Sequence, residues 1–229
     1  MREIVMDTET TGLDPNTGDR IVEIGGVELW NHLPTGKTYH QYINPQRDMP
    51  QEAFDVHGLS IDFLRDKPVF AKIAQQFLDF VGDAKLVIHN AAFDMKFLNA
   101  ELGWLDMPKL PYSQAIDTLD IARRKFPGAQ NSLDALCRRF GITTERELHG
   151  ALLDSEILAE VYLELIGGRQ PDFALGVVGG TESDTTKPGS SWTVPQRPKT
   201  LPPRITEAEK DNHDAFIKTL GPDAKWLNS

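Results

Sequence analysis

Cysteine is nearly absent from this chain: Cys137 stands alone among 229 residues. No internal disulfide can form, and a lone thiol suits a reducing compartment. It lies in the stripe Leu133, Leu136, Cys137, Phe140, whose helical spacing predicts a buried core thiol. Long apolar runs are also missing. The longest fall far short of the roughly 20 residues that a membrane helix needs, and the chain reaches a strand by Ile4 with no signal-peptide layout. A cytoplasmic location is the expectation. Basic residues are scarce, 24 Lys+Arg against 34 Asp+Glu, for a net charge of −10. The deficit is local: residues 167–229 hold eight of each sign, so the whole imbalance lies in 1–166. Such a domain does not hold long DNA by counterion release. It can still act on nucleic acid where bound cations neutralise its acids or a partner holds the substrate.

What is present is enough apolar residue, 40%, for one full core plus a tail, or for two small domains. Residues 3–7, 20–30 and 38–43 read as strands, with a Gly/Pro/Asn-rich connection from Gly12 to Gly18. Pro68 is expected to open a helix with Phe70, Ile73, Phe77 and Phe80/Val81 on one face. Leu86-Val87-Ile88 is a short buried strand. Asn90 is the expected N-cap of a helix running to about Leu102 and closed by Gly103. Ala115–Leu119 is a last strand. Helices follow at about 119–126, 132–140 and 151–166. Three strands and then alternating helix and strand predict an α/β fold, a mixed sheet with helices on both faces.

Beyond Gly167-Gly168 the character changes. Gly, Pro, Ser and Thr make up 17 of residues 176–204, which read as a flexible linker. Thr206-Glu207-Ala208-Glu209 is then a capping box for a helix that could reach Leu220 before Gly221-Pro222. Phe216, Ile217, Leu220, Trp226 and Leu227 are too few to fold alone and fit a docking segment for a larger partner.

Three short segments carry the chemistry. Asp7 and Glu9 are two apart at the end of the first strand, so both carboxylates point to one side of the sheet. Asp94 falls in the first turn of the helix after Asn90, where the helix dipole favours a charged carboxylate. Asp154 lies early in the helix from about Ala151. His149, cut off by Gly150, belongs to the loop entering it, and its ordinary pKa lies near working pH. Each segment alone is weak. Together, acidic oxygen ligands without a cysteine cluster suit Mg²⁺ or Mn²⁺. Two such ions and a histidine base are the parts for cleaving a phosphodiester with water. His89 reads as a structural hydrogen-bonding residue.

These motifs carry a resemblance. Asp7–Gly12 (DTETTG), His89–Asp94 (HNAAFD), Asn131–Cys137 (NSLDALC) and His149–Asp154 (HGALLD) closely resemble the DEDDh 3′→5′ exonucleases. Within them they resemble the proofreading subunits of bacterial DNA polymerase III, over about 1–168. The resemblance implies a ribonuclease H-like five-stranded mixed sheet flanked by helices, with a flexible C-terminal tail. It also implies two divalent cations on Asp7, Glu9, Asp94 and Asp154, with His149 deprotonating the attacking water. Glu52 and His57, in the segment Glu52–Gly58, are implied contacts to the terminal nucleotide, as are Asp7, Glu9 and Asp154. The tail divides by the same likeness into a linker (169–205) and a polymerase-docking segment (206–229). Gln170–Leu175 stands where relatives carry a sliding-clamp peptide, with Phe173 and Leu175 in an unusual order. The implied partners are DNA 3′ ends, the polymerase catalytic (alpha) subunit, the clamp, and a small third core subunit on the exonuclease domain. The implied function is removal of mispaired 3′ nucleotides; polymerisation is not expected of this chain. A free-standing nuclease for RNA or oligonucleotide ends is the nearest rival, and a structural polymerase subunit with secondary hydrolysis is another.

Overall fold

The structure, a computed structural model, describes residues 1–143, 148–167 and 205–219. The chain divides into two units, Met1–Ala174 and Leu175–Ser229. The first unit contains β1 (Arg2–Thr10), β2 (Ile21–Trp30), β3 (Leu33–Tyr42), α1 (Gln51–His57), α2 (Ile61–Leu64) and α3 (Phe70–Val81). It continues through β4 (Lys85–Ile88), α4 (Ala91–Trp104), β5 (Ala115–Asp117), α5 (Thr118–Lys125), α6 (Leu133–Phe140) and α7 (Ala151–Leu165). The strands make one sheet in the order β3-β2-β1-β4-β5. β1, β2 and β3 pair antiparallel, while β4 runs parallel to β1 and β5 parallel to β4. This is the mixed sheet that the sequence pattern predicts, with the five strands that the family resemblance implies.

Helices cover both faces, because the strands are apolar on both. Ile4, Met6, Leu86 and Ile88 pack on one face with Phe70, Ile73 and Phe77 of α3 and Phe97 and Leu98 of α4. Val5, Val27, Leu29 and Val87 pack on the other with Leu158 and Tyr162 of α7. α5 and α6 extend that second layer through Ala122, Leu136 and Cys137 against Ile157 and Val161. Cys137 is buried, as its stripe predicts. Phe70, Phe77 and Phe97 are fully buried, each worth about 2–3 kcal/mol of apolar burial.

The boundaries differ from the sequence expectation where a local hydrogen bond decides. α3 starts at Phe70, not Pro68, because the Pro68 carbonyl accepts the Asn44 amide in the preceding loop. β5 stops at Asp117, whose carboxylate accepts the Leu119 and Asp120 amides and caps α5. β3 begins earlier than expected, as part of a hairpin with β2. Its turn residues Asn31 and His32 both have positive φ, 50° and 67°, which matches the twist of paired strands. α1 and α2 were not expected. They are one or two turns long, and their signals are Pro50 before α1 and Gly58 (φ 71°) after it.

In the second unit α8 spans Glu207–Thr219. The capping box forms reciprocally: the Thr206 amide donates to Glu209 Oε2 and the Glu209 amide to Thr206 Oγ1, at 2.8 and 3.3 Å. The clamp-like segment 170–175, the linker 176–204, and Leu220, Trp226 and Leu227 lie outside the described residues. No described helix is long and apolar enough to cross a membrane.

Candidate active site

Strand alternation on β1 sorts the side chains. Ile4, Met6 and Thr8 face the α3/α4 layer, and Val5, Asp7 and Glu9 face the α7 layer. The acids therefore approach from both layers and meet at the sheet edge where β1 and β4 end. Asp7, Glu9, Asp94, His149 and Asp154 line one cavity there, of about 290 Å³.

Asp94 is buried in the first turn of α4. Thr8 Oγ1 donates to its Oδ1 at 2.7 Å, tying the helix acid to the strand. The cap of α4 corrects the expectation for Asn90. That residue takes a left-handed conformation (φ 68°, ψ 54°) and its side chain caps nothing, a backbone state that Asn tolerates better than most residues. Asp117, at the end of the neighbouring strand, accepts the Asn90 and Ala91 amides instead, at 3.2 and 3.1 Å. One carboxylate thus caps α4 and α5 together. His89 Nδ1 lies 3.0 Å from Thr118 Oγ1, the structural role expected of it, and burial pushes its pKa down.

Asp154, buried, is carried on α7, and His149 on the loop before it, as the Gly150 break predicts. The His149 amide donates to the Val56 carbonyl at the end of α1, and its Nδ1 lies 2.9 Å from Asp154 Oδ2. α7 can come this close to the sheet because of Gly25. Gly25 is the cross-strand partner of Asp7, and a methyl group there would overlap the backbone of Ala151 and Leu152. Glu23, the partner of Glu9, fastens the same point. Its Oε2 accepts the Ala151 amide at 3.1 Å, and its Oε1 lies 2.7 Å from His40 Nε2. Glu23, His40, Gly25, Thr8 and Asp117 are the contributors that sequence reasoning missed. Glu23 had a readable signal, an acid inside an apolar strand run, but nothing local says which helix it reaches.

The acids repel one another. Burial holds Asp7 well above its ordinary pKa, with repulsion from Asp94, Glu9 and Glu23 adding to it. Burial pushes Asp94 up to about 7 against the lowering hydrogen bond from Thr8. A site that disfavours its own charge is one that a cation relieves. The donors suit a hard divalent ion: ligand atoms of Glu9, His149 and Asp154 lie within 4.8 Å of one another.

Beside the acids lies a second cavity, also about 290 Å³, lined by Gly12, Leu13, Glu52, Val56, His57 and Phe93 among others. Glu52 is exposed at the start of α1. His57, the last residue of α1, is buried, and its Nδ1 accepts the Leu59 amide at 3.0 Å. Burial lowers the His57 pKa. Both residues line the cavity beside the acidic centre, and Glu9 is common to the two.

A carboxylate cluster with an aspartate-bound histidine, on a mixed sheet, is the donor set that a metal-dependent hydrolase uses. The family model RNase_T, described as Exonuclease, matches residues 4–162. Solved relatives include Exonuclease X in complex with 5′ overhanging duplex DNA, with TM-score 0.56 and 27% identity over 72% of this chain and 90% of that one. The nuclease domain of 3′hExo, a DEDDh family member bound to rAMP, shares the fold, with TM-score 0.63 and 20% identity over 72% and 91% of the two chains. The DNA polymerase III subunit epsilon of Rickettsia prowazekii is 56% identical, over 96% of this chain and 97% of its own. That of Escherichia coli K12 is 45% identical, over 98% and 97%. The chain belongs to the exonuclease family and, within it, to the epsilon subunits of DNA polymerase III. Divalent metal ions serve the chemistry of this family.

Proposed function

We propose that this chain is the 3′→5′ exodeoxyribonuclease that proofreads for a bacterial DNA polymerase III core, releasing mispaired 3′-terminal nucleotides by two-metal hydrolysis. One observation carries the reading: acids from β1, α4 and α7 meet at a single sheet edge beside the His149–Asp154 pair. Asp7, Glu9, Asp94 and Asp154 would hold two Mg²⁺ or Mn²⁺ ions. When bound, these would stabilise charge on the attacking and leaving oxygens of the phosphodiester. Asp154 orients His149 through Nδ1, so Nε2 is the nitrogen that takes the proton of the attacking water. Thr8 and Glu23 keep the helix-borne acids in register with the strand.

The terminal nucleotide fits the cavity beside the acids, with Glu52 and His57 as its contacts and Asp7, Glu9 and Asp154 at its phosphate. Apolar walls suit any base, so selection for errors comes from fraying: a mispaired end costs less to unstack. Residues 1–168 act as the exonuclease domain. Residues 169–205 tether it, with a clamp contact at 170–175, and 206–229 dock on the polymerase alpha subunit. A third small core subunit sits on the exonuclease domain. The assembly works in the cytoplasm. Tethering raises the local concentration of a domain too acidic to hold DNA itself.

The test is mononucleotide release by the purified chain with Mg²⁺, on paired DNA, mispaired DNA and RNA 3′ ends, beside Asp7→Ala. Faster release from mispaired DNA, abolished in Asp7→Ala, is expected. Equal or faster release from RNA would instead favour a free-standing nuclease. Removing residues 176–229 should leave release intact and end polymerase binding.

A further inference from the structure

Three cavities lie next to one another, each sharing lining residues with the next. The apolar one, with Leu13, Val56, His57 and Phe93, shares Thr8, Glu9 and Phe93 with the acidic centre. The acidic centre shares His89 and Ser132 with a third cavity of about 600 Å³, lined by Arg123, Asn131 and Gly128 as well. The three cavities are therefore neighbours in series, and the two outer ones differ. One end is largely apolar, the middle is acidic, and the far end is mixed, open and carries Arg123.

The far end is also where the charge of the domain reverses. Residues 123–139 hold five cations, Arg123, Arg124, Lys125, Arg138 and Arg139, against one anion, Asp134. This segment belongs to a region, 1–166, that carries the entire net charge of −10. Two of the five are committed elsewhere. Lys125 donates to the Glu164 and Leu165 carbonyls at the end of α7, and Arg139 lies over the Phe126 ring. Arg123 faces the cavity, its side chain is 65% exposed, and its ion-pair partner Asp120 is 3.9 Å away. In the cavity wall the buried Asn131 side chain donates to the Phe126 and Ala129 carbonyls, tying down the loop between α5 and α6.

We infer that this third cavity is the track for the strand upstream of the scissile bond, with Arg123 binding a phosphodiester one or more nucleotides to its 5′ side. The inference rests on the nuclease reading above and gives the series of cavities a direction. The terminal base enters the apolar end, the scissile phosphate lies over the acids, and the rest of the strand leaves past His89 and Ser132 toward Arg123. A cavity of this size holds a nucleotide unit. A guanidinium is matched to phosphate oxygens in charge and geometry. One such contact, on an otherwise acidic surface, sets strand polarity and adds only about tenfold to binding.

The test compares two substrates for the full-length chain carrying Arg123→Gln. One is a single-stranded oligonucleotide; the other is a nucleotide 5′-aryl phosphate ester, which has no upstream strand. On the oligonucleotide, kcat/KM should fall about tenfold through KM, with the salt dependence shallower by about 0.7 in log–log slope, one phosphate contact on a single strand. Hydrolysis of the ester should not change. Arg124→Gln, next in sequence but outside the cavity lining, controls for loss of surface charge. Equal losses in both variants, an unchanged oligonucleotide KM in Arg123→Gln, or a matching loss on the ester would each overturn the assignment. If the unsubstituted chain cleaved neither substrate, the nuclease reading itself would fail, and the track with it.

Discussion

Gly25→Ala is the sharpest perturbation of this architecture. Gly25 faces Asp7 across the β1–β2 ladder, and the start of α7 lies directly on it. An added methyl group meets main-chain atoms of Ala151 and Leu152, not a flexible side chain, so rotamer change cannot relieve it. Reaching ordinary van der Waals separation requires the end of the helix to withdraw by about 1.2 Å or more. The Ala151 amide is also held by buried Glu23, so the withdrawal strains that hydrogen bond. Overpacking of this kind costs about 1–3 kcal/mol. For a domain of this size that lowers Tm by roughly 2–12 °C. The larger effect falls on catalysis, because Asp154 and His149 flank the displaced residues and a shift of about 1 Å in a reacting group can cost around 100-fold. Gly26→Ala is the built-in control, since its methyl meets only Ile4, Phe80 and Tyr39 side chains at 3.4–3.8 Å. Single-turnover release of mononucleotide, at a temperature where circular dichroism shows each variant folded, reads the difference. A Gly25→Ala protein within threefold of the unsubstituted rate would show that helix proximity does not position the site.

Further outcomes follow from the charge cluster. In the metal-free chain Asp94 is raised to about 7, so its native state binds a proton that the unfolded state has already lost between about pH 4 and 7. Its contribution to stability is present at low pH and is lost as pH rises through about 7. In chelator, Tm should therefore climb from pH 8 to pH 6, and less steeply in Asp94→Asn, where the raised Asp7 still contributes; that variant should be the more stable protein at pH 8 though inactive. A steeper slope in Asp94→Asn would refute the assignment of the proton to this residue. His149→Ala should lower the rate by about 10²–10⁴ while keeping the rise in Tm on adding Mn²⁺. Loss of that rise would make His149 a metal ligand, as its grouping with Glu9 and Asp154 allows.

The residues that meet in the acidic cavity were legible as candidates because each lies in a short segment whose local structure the sequence signals. Asp7 and Glu9 end an apolar run, Asp94 falls just inside a helix start, and Gly150 separates His149 from the helix of Asp154. The supporting residues were not legible. Glu23 reads as an acid in an apolar strand, and its partner amide is 128 positions away. Asp117 reads as the end of a strand, yet it replaces Asn90 as the cap of α4. In both cases the choice between two plausible caps depended on which strand lay next door.

The sequence by itself determined the longer elements and the chemistry they carry, though not α1 and α2. Apolar periods of two and of three to four mark strands and helices. The scarcity of cysteine and of basic residues points to oxygen-ligand chemistry in an acidic domain. Only the tertiary structure decided how the acids meet. Alternation on β1 sends Thr8 to one layer and Asp7 and Glu9 to the other, and the parallel β1–β4 pairing brings α4 to the same edge. The absence of a side chain at Gly25 lets α7 close against it. Local sequence encodes the direction of a side chain along its own element. The distance between elements is a property of packing, set by groups far apart in the chain that cannot overlap.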